Sequence, residues 1–241
     1  YEYLIMSEIQ KKYKIGVRRF GFINWVGAYN LYVKEVYRFF NVWIQTLFSP
    51  LISSLLFLSV LSLAIGNERG DVLGFPFISF LAPGLIAMSI IQQSFSHSSS
   101  SLMIGKIQGI IIDILVAPLS ETEVTLAITL AAVTRSIIIT IISILVFSLI
   151  IELHIYSILY IFIFAFLGSF ILGSLGIIAG LWAEKFDHMA TVTNFIITPL
   201  SFLSGVFYSV DRLPGFFKSI SQINPFFYMI DGFRFGFLGM S

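Results

Sequence analysis

The chain has 241 residues, of which 57% are hydrophobic and 11% charged, at a mean hydropathy of +0.95. A soluble domain carries about 25% charged residues, so this is the composition of a polytopic membrane protein. A net charge of +1 says nothing about nucleic acid, and the sequence has no basic domain to hold phosphates, so no nucleic-acid partner is expected. The absence of cysteine excludes a disulfide framework, a thiolate nucleophile and a Cys-based metal site.

Residues 1–23 are polar and basic, with Lys11, Lys12, Lys14, Arg18 and Arg19, and no apolar core of signal-peptide length follows directly. With Lys34 and Arg38, seven of the fourteen Lys and Arg precede the first long apolar segment. The positive-inside tendency therefore predicts a cytoplasmic N-terminal segment. Residues 24–41 read as an amphipathic interface helix. Tyr29, Tyr32, Val36, Phe40 and Trp43 recur at three- and four-residue steps, with Asn30, Lys34, Arg38 and Asn41 on the opposite side.

A transmembrane domain is expected over 42–209. It holds five apolar segments, about 42–65, 75–103, 124–151, 155–183 and 189–209, each long enough to span. Pro50 is a predicted kink, and Asn67 to Asp71 form a polar turn. Five crossings from a cytoplasmic start put the C-terminal end of the chain outside.

Between the second and third segments, 104–121 is a cytoplasmic loop containing a short apolar helix. Lys106 and Asp113 bracket that helix and Pro118 ends it. Ser120 then caps the next helix, with Glu121 and Glu123 in its first turn. After residue 209, Asp211, Arg212, Lys218, Asp231 and Arg234 interrupt every apolar run, and Pro214 and Asn224-Pro225 punctuate it. The natural reading of 210–241 is a pair of short re-entrant helices, about 214–223 and 225–237.

Individual side chains stand out. Arg135 lies well inside the third segment, where a charge must be paired or wet. Both a structural pair and a substrate contact fit it. His97 sits in a serine-rich run, Ser94 to Ser101, and shares a face with Ser101. No GxSxG pattern accompanies these serines, so helix–helix hydrogen bonding is the expected role, with a pathway wall as the alternative. Ala165, Ser169, Gly173, Gly176 and Gly180 line one face of the fourth segment and permit close packing, within the subunit or between copies. The turn Trp182 to His188 is read either as a solvated turn or as a neighbour of the Lys106 to Ser120 loop.

Two stretches carry a resemblance. DILVAPLSETE, residues 113–123, resembles the loop signature of type 2 ABC-transporter permeases, the membrane subunits of prokaryotic ATP-driven exporters. TPLSFLSGVFYSVDRLP followed by INPFFYMIDGFRFGFLG resembles their C-terminal signature. The likeness covers about residues 24–239 and is nearest to the small permeases grouped with polysaccharide, lipo-oligosaccharide and drug exporters. Ile112 departs from it, standing where relatives often carry a second acidic residue.

The resemblance implies a helical bundle in a bacterial inner membrane, built from two permease copies as a homodimer with two ATP-binding subunits. It implies a sixth span, expected after residue 241. ATP and Mg would be bound by the partner ATPase, since this chain has no GxxxxGK[ST] loop and no catalytic site. Closure of the partner would press on an interface of Lys34, Arg38, Lys106, Gly109, Asp113, Pro118 and Glu121. Gly205, Pro214, Asn224, Pro225 and Arg234 would form an outer gate, and Phe216, Phe217, Phe226, Phe227 and Tyr228 would suit an amphiphilic or lipid-linked substrate. Membrane lipids are the remaining partner. The competing reading is a stand-alone channel or secondary transporter, which calls for intramembrane carboxylates or an inverted repeat.

Overall fold

The computed structural model describes residues 23–65, 72, 74–210 and 214–240. The basic segment up to residue 22, the polar turn 67–71, and Asp211 and Arg212 lie outside the described residues. Among the described residues the chain is helical nearly throughout and holds no strand, only an isolated Val72–Phe75 bridge.

Helix α1 runs Trp25–Phe40, and a π-helical turn, Ile44–Phe48, leads into α2, Ser49–Ile65. The chain continues through α3, Phe77–Ile107, the short α4, Ile110–Val116, α5, Glu121–Ser148, and α6, Ile158–Trp182. Next come α7, Phe186–Val192, a second π turn, Thr193–Ile197, and α8, Thr198–Phe202. Helices α9, Gly215–Ile223, and α10, Pro225–Leu238, close the described chain.

Both π turns have one cause. Pro50 and Pro199 lack the N–H that would bond four residues back, to Thr46 and Phe195, so the backbone widens there. The expected kink at Pro50 is this turn.

Four helices are long and apolar enough to cross a membrane: 44–64, α3, α5 and α6. The segment predicted over 189–209 is a helical run from Phe186 to Phe202, after which the chain turns at 203–209. The two helices expected after Pro214 are α9 and α10, within a residue of their predicted bounds.

Helix α3 is the centre of the bundle. It packs against α5, α6, α10 and, less extensively, α2. Some 78% of its apolar window is buried, against 17% for the 44–64 span. It is also the least apolar of the four spans, at a mean hydropathy of 1.4 against 2.1 to 2.5. Lipid-facing helices must be apolar, whereas a helix surrounded by protein can carry hydroxyls that neighbours satisfy. Ser94 Oγ, for example, meets Ser136 Oγ of α5 at 2.6 Å.

The small-residue face of α6 packs within the subunit. A Cβ on Gly176 would lie 2.5 Å from the Phe95 carbonyl oxygen, and one on Gly180 3.0 Å from that of Ser99. Phe80, Phe95, Phe233 and Phe237 fill the core between α3 and α10.

Candidate functional site

Two constellations lie at opposite ends of the bundle, with a polar layer between them. The first is built around α4. Gly109 joins α3 to α4 with φ +75°, a left-handed corner that glycine adopts without penalty. The turn sets α4 on the end of the bundle, where none of its residues is buried and Ile112, Leu115 and Val116 are exposed. Across from α4 runs α1. A groove of about 400 Å³ separates them, lined by Asn30, Lys34, Asp113, Pro118 and their neighbours.

Glu123 ties the start of α1 to the segment that leads from α4 into α5. Its Oε2 accepts from the Ser120 amide at 2.7 Å, and the Ser120 hydroxyl accepts from the Glu123 amide, completing a capping box. Its Oε1 accepts from the Asn24 amide at 2.5 Å. The Asn24 side chain in turn caps α1 by accepting from Gly27 and donates to the Pro118 carbonyl at 3.1 Å. One buried carboxylate thus satisfies orphan amides at the N-termini of both α1 and α5.

Of the residues predicted for a coupling interface, Lys34, Asp113 and Pro118 line this groove, Gly109 sets the corner that leads into α4, and Glu121 is exposed at the start of α5 without lining it. Lys106 and Arg38 point elsewhere. The Lys106 ammonium donates to the Leu181 and Ala183 carbonyls, closing the C-terminus of α6. This contact brings the Trp182 to His188 turn beside the loop.

Arg38 is drawn into the polar layer. Its Nε pairs with Glu35 Oε2 at 2.9 Å, and its Nη2 donates to the His97 carbonyl at 3.0 Å. Ser101 Oγ donates to the same Glu35 oxygen at 2.7 Å, and His97 Nε2 lies 3.9 Å from it. His97 and Ser101 do share a face of α3, and what they face is α1. Glu35 was not singled out in the sequence, although it sits at i,i+4 between Leu31 and Phe39. Those three are the residues α1 buries. The apolar stripe of Tyr29, Tyr32, Val36, Phe40 and Trp43 is only partly turned to the protein: the Tyr32 hydroxyl lies 2.8 Å from Thr134 Oγ1 of α5, while Tyr29, Phe40 and Trp43 are exposed. Deeper in the layer, Arg135 donates to Gln93 Oε1 of α3.

The second constellation is at the far end, where α9 and α10 pack on the chain leaving α8. Gly205 takes φ +72° as the helical run ends, and several of the carbonyls freed there are claimed by side chains. Asn224 Nδ2 donates to the Leu200 carbonyl at 2.7 Å, and Ser221 Oγ to that of Leu203 at 3.0 Å. Arg234, 3% exposed, donates from Nη2 to Gly205 at 2.8 Å and Val206 at 3.3 Å, with its guanidinium carbon 3.9 Å from the Phe80 ring centroid. Asn224 also caps α10, accepting from Phe226, and Pro225 occupies its first turn. Gly205, Asn224, Pro225 and Arg234 therefore converge, while Pro214 stands exposed ahead of α9.

A family model for the ABC-2 type transporter matches residues 28–238, from α1 to the last residue of α10. The chain belongs to this family. The inner membrane transport permease YadH of Escherichia coli is 34% identical over 218 residues, covering 90% of this chain and 85% of that protein. Nodulation protein J of Rhizobium leguminosarum bv. viciae is 36% identical over 66 residues, about a quarter of each chain. An ABC-2 permease is the membrane subunit of an ABC transporter, and membership implies association with an ATP-binding subunit. The four apolar helices make this one a multi-pass membrane protein.

Proposed function

We propose that this permease exports an amphiphilic or lipid-linked substrate across a bacterial inner membrane, by alternating access driven by a separate ATPase. The observation that carries the reading is the groove between α1 and α4. It presents Lys34, Asp113 and Pro118 beside a short helix whose apolar side chains are exposed and uncovered within the subunit. Exposed apolar surface of that kind calls for a partner. An ATP-binding subunit seated there would press on α1 and α4 together, because Asn24 and Glu123 tie the start of α1 to the segment that follows α4.

On this reading α1 lies at the cytoplasmic interface with Tyr29, Phe40 and Trp43 toward lipid, and the N-terminus is cytoplasmic. The α9–α10 pair then forms the external gate. Two copies of the permease assemble with two ATPases, which hold ATP and Mg. ATP shifts the population between inward- and outward-open states by its differential affinity for them. Lys106 and Arg38 serve the reading indirectly, by fixing α6 and α1 to α3.

The test is a pull-down of the tagged permease from membranes followed by an ATPase assay in lipid. An ATP-binding subunit should copurify at equal stoichiometry. Asp113→Lys and Pro118→Leu should lower its stimulated ATPase activity while the permease stays folded. Unchanged coupling in both variants would sink the docking assignment.

A further inference from the structure

Arg135 stands at the midpoint of α5, and its one polar contact across the bundle is the neutral amide of Gln93, itself mid-way along α3. Among the described residues no carboxylate pairs with it; the interior ion pair is that of Glu35 with Arg38. Its Nε is buried without a hydrogen-bond partner. A guanidinium at mid-membrane is unfavourable unless a counter-charge or water reaches it. Among the described residues neither an acid nor the backbone supplies the counter-charge.

Gln93 is also a wall of a cavity of about 240 Å³ between α2 and α3, with Ser49, Ser53, Ser54, Ser89 and Gln92. This is a polar recess in a span otherwise built for lipid. It is smaller than the roughly 300–1,000 Å³ of a site that encloses a whole drug-sized ligand. It has room for a headgroup, and the exposed apolar flank of α2, with Leu56, Phe57 and Val60, offers a surface for the tails. Gln93 accepts from Arg135 through Oε1, which leaves its amide NH2 as a donor polarised by the guanidinium.

We propose that Arg135, acting with Gln93 at the cavity between α2 and α3, binds the anionic headgroup of an amphiphile. This names a substrate class for the permease and rests on that reading for its meaning in transport, but the binding is measured without ATP or a partner. The anion takes hydrogen bonds from the Gln93 NH2 and the cavity serines, and its charge offsets that of Arg135. A zwitterionic or neutral headgroup supplies no net counter-charge and is held less tightly.

The experiment is native mass spectrometry of the purified permease in detergent with equal amounts of dioleoyl phosphatidylglycerol and dioleoyl phosphatidylcholine. The wild type should hold the anionic lipid about tenfold more tightly, a difference of about 1.4 kcal/mol. Arg135→Gln should abolish the preference and Arg135→Lys should keep most of it. Gln93→Glu places a carboxylate against Arg135 and satisfies it internally, so this variant should fold at least as well as wild type and still lose the preference. It keeps the proposal testable where Arg135→Gln misfolds. A preference that survives Gln93→Glu, or one that disappears with Lys34→Gln instead, overturns the proposal. Competition by millimolar inorganic phosphate would assign the site to a free anion, and its failure to compete assigns it to the headgroup. Should no ATP-binding subunit copurify while the Arg135-dependent preference holds, the transport reading fails and the anion site stands.

Discussion

Replacing Arg234 by Met tests whether the α9–α10 pair is held to the bundle as the geometry implies. The variant keeps the length and apolar stem of the side chain and removes its donors. Two charge-assisted bonds, to the Gly205 and Val206 carbonyls, are lost. Each contributes about 1.5–3 kcal/mol. The contact with the Phe80 ring adds about 2 kcal/mol in a desolvated setting. Against these stands relief of several kcal/mol from no longer burying a guanidinium. Its Nε, buried and unpartnered, weighs on the same side. The net expectation is a loss of about 2–4 kcal/mol, since the freed carbonyls remain buried. At about 2–4 °C per kcal/mol for a chain of this size, melting followed by far-ultraviolet circular dichroism in detergent should fall by about 5–15 °C. Arg234→Lys, which keeps the charge with fewer oriented donors, should fall between. A Met variant that melts with the wild type would show that these contacts do not hold the pair.

Three further outcomes follow from the packing and the corners. Gly176→Ala places a methyl 2.5 Å from the Phe95 carbonyl oxygen; the resulting shift of α3 from α6 should cost about 1–3 kcal/mol, read as a lower melting temperature. Gly109→Val meets open space but a left-handed backbone, so it should cost about 1–2 kcal/mol of strain, whereas Gly109→Asn is tolerated. In the ATPase complex the Val variant should lose coupling and the Asn variant keep it. Glu35→Gln leaves Arg38 without its counter-charge. Because Arg38 is partly exposed, the cost is about 1–2 kcal/mol, and amide exchange along α1 should accelerate several-fold while α5 exchanges as before.

Hydropathy carried the helices well, because the four spans are set by runs of apolar residues that no other element can accommodate. Punctuation carried the C-terminal pair: Pro214 and Asn224-Pro225 stand at the starts of α9 and α10. What hydropathy could not supply was direction. In a membrane the lipid is a second apolar environment, so the strongest stripe of α1 is not the one buried deepest in the protein. Leu31, Glu35 and Phe39 are buried instead, and the acid among them is not legible as a core residue because a carboxylate between apolar residues reads as surface. Lys106 and Arg38 were assigned to one interface by charge and position. They serve a helix end and the polar layer, since the Lys106 ammonium reaches the Ala183 carbonyl and the Arg38 guanidinium that of His97, both far away in sequence. The small residues of α6 were legible as a close-packing face, but only coordinates select α3 as its mate.

Helix α1 is pinned twice, to two different spans. At Asn24 it shares the Glu123 carboxylate with α5, and eleven residues further on Glu35 and Arg38 grip α3 through Ser101 and His97. At 1.5 Å per residue the anchors are about 16 Å apart. A rod fixed at one point swings; a rod fixed at two, on separate supports, does neither that nor roll about its long axis. A push at the groove therefore arrives at α3 and α5 as a single displacement, with the spacing between those helices held constant. Arg135 and Gln93, one on each, would travel as a unit, and the wall that yields first is α2, the span with the least protein around it.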